Sequence, residues 1–388
     1  MNILHVVSSI DPKAGGVSQA LRTMILGLSK GASNTVVCLD NPEEQVAIRD
    51  DFEIHKCGPT KNPWRYSVKF KAWMRDNIVR FDVIIIHGLW QYHSFCTYSV
   101  WKKFGNKRAR LFVMPHGMLD PYFQKAKGRK IKALRNILFW RLLESKVVNE
   151  ADGLLFTCET EKLLARTTFK GYRPKTENVV GLGVEEPPRY SLTMDNEVGR
   201  KIRNYKDRYI LFIGRIDPKK GVDLLIDEYK NLISEYQNIP QLVIAGPGCD
   251  TEYGKEMIKK AASCQSIQFP GLLLGDQKWG AFYNAEAFIL HSHQENFGVA
   301  VVEAMACGKP VIISNQVNIW REIQASGSGF VDEDTNNGVF KNMRKWLELP
   351  QEEKNKMSNN AKTAFKELFF IDKVSVRLLE LLEKTRTV

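Results

Sequence analysis

The sequence predicts two α/β domains, each with a doubly wound, mainly parallel sheet between layers of helices. Short apolar runs alternate with longer amphipathic segments, which is typical of parallel strands crossed by helices. The alternation stops at residues 183–199, where two prolines and mixed polar residues resemble a linker, and it then restarts. The chain of 388 residues is also too long for one ordinary core. Together these observations favour two separate cores.

Short apolar runs mark the predicted strands in chain order. In the first half they are residues 3–7, 35–39, 83–87, 110–114, 153–157 and 178–180. In the second half they are residues 209–214, 241–245, 267–269, 287–290 and 310–313. Apolar residues then recur at helical spacing between residues 372 and 384, which predicts a closing helix. We therefore expect domains at residues 1–188 and 189–371, followed by a helical segment at residues 372–388.

Composition and charge narrow the function classes. The chain is 44% apolar and carries a formal charge of +12, so we expect a globular protein with an anionic partner. The first residues, MNILHVVSSI, lack the basic leader of a signal peptide, and no run approaches the roughly 20 apolar residues of a membrane span. Seven singly spaced cysteines favour reduced thiols in a cytoplasm and no structural zinc.

Two predicted strands are followed by loops suited to phosphate, and ligands bind at the carboxyl ends of such strands. Gly15 and Gly16 precede an amphipathic helix whose first amide groups would face an anion, although a flexible loop is an equal reading. Arg215 and Lys220 flank a short loop in GRIDPKKG, where a planar guanidinium and a point charge would suit a diphosphate. The alternative for this second loop is a solvated basic turn.

The segment HSHQENFGVAVVEAMACGKPVIIS holds two acids in an apolar run, Glu295 and Glu303. A helix is expected to begin near Phe297 or Gly298, and its first amide groups would attract phosphate. Glu295 precedes that helix and would suit neutral hydroxyl groups. Glu303 lies inside the helix, where an ionised carboxylate is costly without donors such as a ribose diol. Taken alone, Glu303 is better explained as an ordinary acid of an amphipathic helix.

These motifs together resemble glycosyltransferase family 4, the retaining enzymes that use nucleotide sugars. The resemblance lies in the spacing of Glu295 and Glu303, in GRIDPKKGVDLLI, in AGGV and in PHGML, and it covers most of the chain. It implies the GT-B fold, in which two Rossmann-like domains face each other across a cleft. The second domain would hold most of the donor, and the C-terminal helix would pack back on the N-terminal domain.

The resemblance also implies a role for each site residue. His116, Arg215, Lys220 and Glu295 would be catalytic: the two cations would hold the diphosphate, Glu295 the sugar hydroxyls, and His116 would lie beside the transferring sugar. Glu303 would accept the ribose hydroxyls. The complete set of residues expected to bind the donor is Gly15, Gly16, Arg215, Lys220, Leu272, Leu273, Glu295, Asn296, Phe297, Gly298, Val299 and Glu303. Asn296 replaces a glycine common in the family, which leaves the contacts of this loop with the sugar open.

Family frequency favours UDP-glucose or a related UDP-hexose as donor, with GDP-mannose as the alternative. The resemblance implies a front-face mechanism without a metal or another cofactor. The triplet Asp332, Glu333 and Asp334 resembles manganese ligands but is expected to be a solvated loop. A sugar phosphorylase is disfavoured because no lysine has a recognisable cofactor context. A non-catalytic nucleotide-sugar binder remains open, and no aromatic and basic module for nucleic acid is found.

Residues 124–144 are basic, with apolar side chains interleaved. Such a helix can lie on an anionic membrane, so we predict contact through Lys127, Arg129 and Lys130 with a surface that carries a lipid-linked glycan acceptor. The equal alternative is a helix with its apolar face in the core and its basic face in water. The expected location is the cytoplasm, with peripheral attachment to the inner face of the plasma membrane as the further hypothesis.

Overall fold

A computed structural model describes residues 1–44, 50–60, 62–106, 109–125 and 130–384. The chain forms two compact units, Met1–Gly183 with Ile371–Val388, and Val184–Phe370. The strands of the first unit are β1 (Asn2–Val7), β2 (Ser33–Cys38), β3 (Glu53–Lys56), β4 (Val83–His87), β5 (Arg110–Met114), β6 (Gly153–Phe156) and β7 (Glu177–Val179). Those of the second are β8 (Tyr209–Ile213), β9 (Gln241–Ala245), β10 (Ile267–Gly271), β11 (Ala287–Leu290), β12 (Val311–Ser314) and β13 (Gly329–Asp332).

Helices cover both sheets. In the first unit they are α1 (Gly16–Leu28), α2 (Val68–Asn77), α3 (Tyr92–Phe104), α4 (Tyr122–Lys125), α5 (Lys130–Phe139), α6 (Ser145–Glu150) and α7 (Glu159–Thr168), with the later α16 (Ile371–Lys384). In the second unit they are α8 (Leu192–Gly199), α9 (Val222–Glu235), α10 (Glu252–Ala261), α11 (Gly275–Asn284), α12 (Val299–Ala306), α13 (Trp320–Ser326), α14 (Asn336–Glu348) and α15 (Gln351–Ala364). Short 3-10 turns lie at Pro12–Ala14, Ile78–Arg80 and Pro218–Lys220, and π-helical turns at Trp140–Glu144 and Phe365–Phe369.

Both sheets have the doubly wound strand order. The first sheet runs β3-β2-β1-β4-β5-β6-β7 and the second β10-β9-β8-β11-β12-β13, with parallel pairing in each. Because the order reverses between β1 and β4, and again between β8 and β11, each sheet has a switch point where loops part at the carboxyl ends of two neighbouring strands. The predicted fold class, two doubly wound parallel sheets, is confirmed.

The closing helix α16 packs on the first sheet. Leu378 and Leu382 are buried in one cluster with Ile3 and Met24, while Val376 on the opposite side of the helix is 52% exposed. Lys30 also pairs with Asp372 at 2.8 Å. The amphipathic spacing of α16 therefore buries its apolar face against the sheet and α1.

The sequence did not predict two of the strands, β3 and β13, and both lie at the edge of a sheet. Every residue of these two strands is at least partly exposed. An edge strand does not need the continuous apolar run that a central parallel strand requires, so the run that marks β4 or β12 is missing here. In the described parts of the chain, no helix is long and apolar enough to cross a membrane.

Candidate functional site

The loops after β8 and β11 meet at the switch point of the second sheet. The amide of His293 donates to the carbonyl of Lys219 at 2.9 Å, which ties one loop to the other. The amide of Glu295 in turn donates to the carbonyl of Gln316 at 2.9 Å, and Asn318 donates its amide back to the carbonyl of Glu295. Glu295 therefore lies on a backbone fixed from both sides.

Lys220 and Glu295 form a direct ion pair through Nζ and Oε2, with side chains 19% and 22% exposed. The structure therefore brings together the two residues that the sequence assigned to diphosphate and sugar. Arg215 lies in the same loop as Lys220, is exposed, and has no ion-pair partner among the described residues. Its guanidinium is therefore available to an anionic ligand.

Glycines allow the loops of this edge to approach closely. Gly221 has φ 64°, and a Cβ there would lie 2.2 Å from the carbonyl oxygen of His291. A Cβ on Gly246 would lie 1.8 Å from the carbonyl oxygen of Gly214. Both distances are far below a van der Waals contact, so only glycine permits this packing. Gly246 was not identified from the sequence, although the run AGPG after β9 is a recognisable loop signal.

Glu303 lies on α12, which begins at Val299 directly after Gly298 at φ 78°. Its carboxylate accepts a hydrogen bond from Lys278 Nζ at 2.6 Å, and the two side chains are 15% and 24% exposed. Burial raises the pKa of Glu303, and Lys278 opposes that rise. Lys278, on α11, was missed because nothing in the sequence links it to α12.

The other predicted donor residues of the second unit are Leu272, Leu273, Asn296, Phe297 and Val299. Leu272 is 50% exposed in the loop after β10, and Leu273 beside it is buried. Phe297 is buried and meets Phe369 edge to face at a centroid distance of 5.6 Å, whereas Val299 is 43% exposed. Asn296 is half-buried between Glu295 and Phe297. Val299 and Leu272 thus offer surface to a ligand, while Phe297 anchors the loop.

The acidic triplet does not converge on one point. Asp334 Oδ2 lies 3.0 Å from His293 Nδ1, and Asp332 lies 3.7 Å from Lys345 Nζ. All three acids are at least partly exposed, and two of them have side-chain partners. Among the described residues, no group of three or more His, Cys, Asp or Glu is arranged to hold a metal ion.

In the first unit, Gly15 and His116 follow β1 and β5. Gly15 has φ 111° and precedes α1, which begins at Gly16. His116 has φ 51°, a left-handed conformation that is uncommon for a residue with a side chain. The amide of the next residue, Gly117, donates to Glu161 Oε1 at 2.6 Å, and Glu161 Oε2 accepts from the amide of Thr157 at 2.7 Å. Glu161 therefore holds the turn that carries His116.

Three histidines of the first unit form a hydrogen-bonded row. His116 Nε2 lies 3.0 Å from His87 Nδ1, His87 Nε2 lies 3.1 Å from His5 Nδ1, and His5 Nε2 lies 3.0 Å from Asn34 Oδ1. Burial lowers the pKa of His5 and of His116 to about 4 and lowers the pKa of His87 well below its usual range. All three rings are therefore neutral near pH 7.

The predicted basic segment is partly described. Lys127 and Arg129 lie outside the described residues, and Lys130 is exposed at the start of α5. The apolar side chains that follow are also exposed: Ile131 by 87%, Leu134 by 69%, Leu138 by 54% and Leu142 by 58%. The alternative in which the apolar face of this helix packs into the core is therefore wrong for these four residues.

Comparison with known proteins finds a family model that matches most of the second unit. Residues 195–364 match the model of the family described as glycosyl transferases group 1. A trehalose synthase from Thermococcus litoralis is 30% identical over 177 residues, which are 44% of this chain and 42% of that protein. The aligned stretches cover only 25% to 44% of the length of such curated relatives.

Solved structures resemble the whole chain. Sucrose-phosphate synthase from Thermosynechococcus elongatus superposes with a TM-score of 0.75 at 17% identity, covering 99% of each chain. Anabaena HepE in complex with UDP-glucose gives a TM-score of 0.72 at 15% identity, covering 99% of this chain and 100% of that one. At such identities the likeness concerns the fold. Residues 195–364 therefore match the family of glycosyl transferases group 1, and the chain as a whole has the two-sheet fold of these solved structures.

Proposed function

We propose that this protein is a retaining hexosyltransferase that moves a hexose, with glucose as the first candidate, from a UDP-sugar to a glycan or lipid-linked oligosaccharide in polysaccharide biosynthesis. The contact between Lys220 and Glu295 carries the proposal. A cation suited to phosphate and a carboxylate suited to sugar hydroxyls lie side by side at a switch point, where doubly wound sheets bind nucleotides.

In the proposed reaction, Arg215 and Lys220 bind the diphosphate and stabilise its growing charge as the bond to the anomeric carbon breaks. Glu295 orients the sugar through its hydroxyls, and Glu303 accepts the ribose hydroxyls. The amides of Phe297, Gly298 and Val299 contact sugar or phosphate. Leu272 and Leu273 contact the base, and Gly15 and Gly16 contact the diphosphate. His116 contacts the sugar, and Asn296 belongs to the loop that binds the sugar.

Retention follows from a front-face substitution without a metal. The acceptor oxygen forms its bond to the anomeric carbon on the side from which the diphosphate leaves, and an oxygen of the departing diphosphate takes the acceptor proton. A double displacement needs a carboxylate nucleophile next to the anomeric carbon. Glu161 accepts a hydrogen bond from the amide of Gly117, the residue after His116, and two more from Thr157. Both of its carboxylate oxygens are thus engaged, which supports the front-face route over a nucleophilic role for Glu161.

Binding of a nucleotide-sugar panel tests the donor site, because a ligand stabilises the folded state in proportion to its binding. We expect a UDP-hexose, tested as UDP-glucose, to raise the Tm, and Lys220→Ala to abolish that rise. Lys230→Ala, on the exposed side of α9, is the matched control and keeps the rise. A Lys220→Ala variant with an unchanged shift contradicts the phosphate assignment. The known complex of HepE with UDP-glucose supports UDP over GDP-mannose as the first choice.

Hydrolysis of the donor without acceptor separates an enzyme from a non-catalytic nucleotide-sugar binder. The enzyme slowly releases free hexose and UDP, measured by chromatography. Binding without any release, across UDP-, GDP- and ADP-sugars and with candidate glycan acceptors present, favours the binder.

We further propose that α5 rests on an anionic membrane surface that presents the acceptor. The exposed row Ile131, Leu134 and Leu138 favours this role, since apolar side chains enter the boundary of a bilayer while flanking bases meet anionic headgroups. The bases are Lys127, Arg129, Lys130, Lys132 and Arg135.

Co-sedimentation with vesicles of phosphatidylglycerol and phosphatidylcholine tests the membrane surface. Wild-type protein is expected to bind anionic vesicles, while the triple variant Ile131→Ser, Leu134→Ser and Leu138→Ser loses binding. Charge reversal at Lys127, Arg129 and Lys130 is expected to do the same. Val68→Ser, which removes a side chain 66% exposed elsewhere in the same unit, is the control. Equal sedimentation of all variants excludes the proposal.

A further inference from the structure

The histidine row follows a regular path across the first sheet. Asn34 is the register partner of Ile3, and His5 lies two residues further on β1. His5 is the partner of Ile85, and His87 lies two residues further on β4; His87 is the partner of Met114, and His116 lies two residues beyond it. Each step therefore crosses one strand and advances two residues. Because side chains alternate along a strand, Asn34, His5 and His87 project from the same face of the sheet, and His116 in the turn after β5 continues the row.

The direction of every hydrogen bond in this row is determined by Asn34. Its Nδ2 donates to the carbonyl of Ala32 at 3.0 Å, and a carbonyl can only accept, so Oδ1 must be the atom that faces His5. His5 Nε2 then carries the proton. A neutral imidazole has one N–H, so His5 Nδ1 is an acceptor and takes the N–H of His87 Nε2.

The same reasoning extends to His116. His87 Nδ1 has no proton and accepts the N–H of His116 Nε2. We infer that Asn34, His5 and His87 are positioning residues that fix His116 as the Nε2–H tautomer, so that its Nδ1 is a hydrogen-bond acceptor for a ligand hydroxyl. In the described chain, no residue forms a hydrogen bond with that Nδ1. The tautomer depends on the first unit alone, and only its use in catalysis rests on the proposed function.

This row ends at an amide and leads to no proton acceptor. Asn34 cannot take up a proton from His5, so the row orients a lone pair and does not conduct protons to solvent. Another buried histidine of the first unit, His93, is tied to the backbone carbonyl of His87 at 3.1 Å and stands outside the row. At the donor sugar, His116 would therefore accept a hydrogen bond from a hydroxyl and would not donate one.

Nitrogen-15 NMR of the histidines in the full-length protein tests the tautomer directly. At pH 7 we expect His116, identified by loss of its signals in His116→Gln, to show a protonated Nε2 and an unprotonated Nδ1. A protonated Nδ1, or rapid exchange between the two tautomers, overturns the inference. This measurement needs no activity and no variant in the row, so it is independent of the proposed function.

A pair of substitutions at Asn34 tests its control over His116. Asn34→Asp keeps an acceptor for His5 and is expected to preserve the tautomer of His116. Asn34→Leu has a similar size but no acceptor, so the row can reverse and His116 becomes a mixture of tautomers. The kcat/KM for the donor then falls about twofold or more, in proportion to the fraction of His116 in the competent tautomer. A single Nε2–H tautomer in folded Asn34→Leu contradicts the control by Asn34.

Discussion

Lys278 Nζ lies 2.6 Å from Glu303 Oε1, and this contact joins α11 to α12 beside the proposed nucleotide site. Both side chains are mostly shielded from water, with exposed fractions of 24% and 15%. Glu303 was predicted to need hydrogen-bond donors because of its apolar surroundings. The structure supplies one from a neighbouring helix, and this cation opposes the rise that burial causes in the pKa of Glu303.

Removal of Lys278 is expected to destabilise the protein. Lys278→Met leaves the Glu303 carboxylate without its cation and lowers the free energy of unfolding by about 1–3 kcal/mol. The double variant Lys278→Met with Glu303→Gln regains part of that loss. Urea denaturation of the four proteins gives the coupling energy, and strictly additive losses would show that the pair contributes nothing of its own.

Glu144 predicts a pH dependence of stability. It is fully buried in the π-helical turn, and burial raises its pKa from 4.5 to about 7. Between these values the folded state holds a proton that the unfolded state has lost, so the free energy of unfolding falls as pH rises through this window. Glu144→Gln stays neutral. The free energy of unfolding of this variant minus that of wild type is therefore expected to rise by about 3 kcal/mol from pH 4 to pH 8.

Urea denaturation at several pH values measures this change. The control is Glu383→Gln, which makes the same chemical change at an exposed position on α16. A constant difference between Glu144→Gln and wild type would show that Glu144 titrates alike in both states.

Gly221 predicts a local steric effect on the donor loop. Alanine there adds a Cβ 2.2 Å from the carbonyl oxygen of His291 and must also adopt the left-handed φ of 64° that the fold requires at this position. Gly275→Ala is a matched control, because its φ is 51° but nothing lies within 4 Å of the added atom. The conformational cost alone is about 1–2 kcal/mol, so Gly275→Ala reports strain and any larger loss in Gly221→Ala reports the clash. Thermal denaturation measures the stability of each variant, and titration with UDP measures its affinity for the nucleotide. Equal losses in Gly221→Ala and Gly275→Ala would exclude a steric role for Gly221.

Glu295 predicts a separation of catalysis from nucleotide binding. Glu295→Gln keeps its size but weakens the hydrogen bonds to the sugar hydroxyls, so we expect kcat/KM for the donor to fall about 100-fold or more. The affinity for UDP, which lacks the sugar, is expected to stay within a few-fold of wild type. Parallel loss of UDP binding would mean that Glu295 acts mainly by holding Lys220 in place.

Central parallel strands were predictable because a strand buried on both faces needs a continuous apolar run, as in VIII of β4 and VII of β12. Two of the four edge strands, β3 and β13, were not predicted, since EIHK and GFVD lack the continuous apolar run of the central strands. The spacing of Glu295 and Glu303 likewise indicated one loop followed by one helix. Those residues are close in the chain, so local periodicity was sufficient to relate them.

Relationships between distant segments required the tertiary structure. The sequence by itself determined the two doubly wound sheets and singled out Lys220, Glu295, Glu303 and His116. Only the fold placed Lys278 against Glu303 and aligned Asn34, His5 and His87 behind His116. The physical reason is strand register: a contact that crosses four strands depends on how each strand is shifted against the next, and that shift is set by the packing of the whole sheet and its helices.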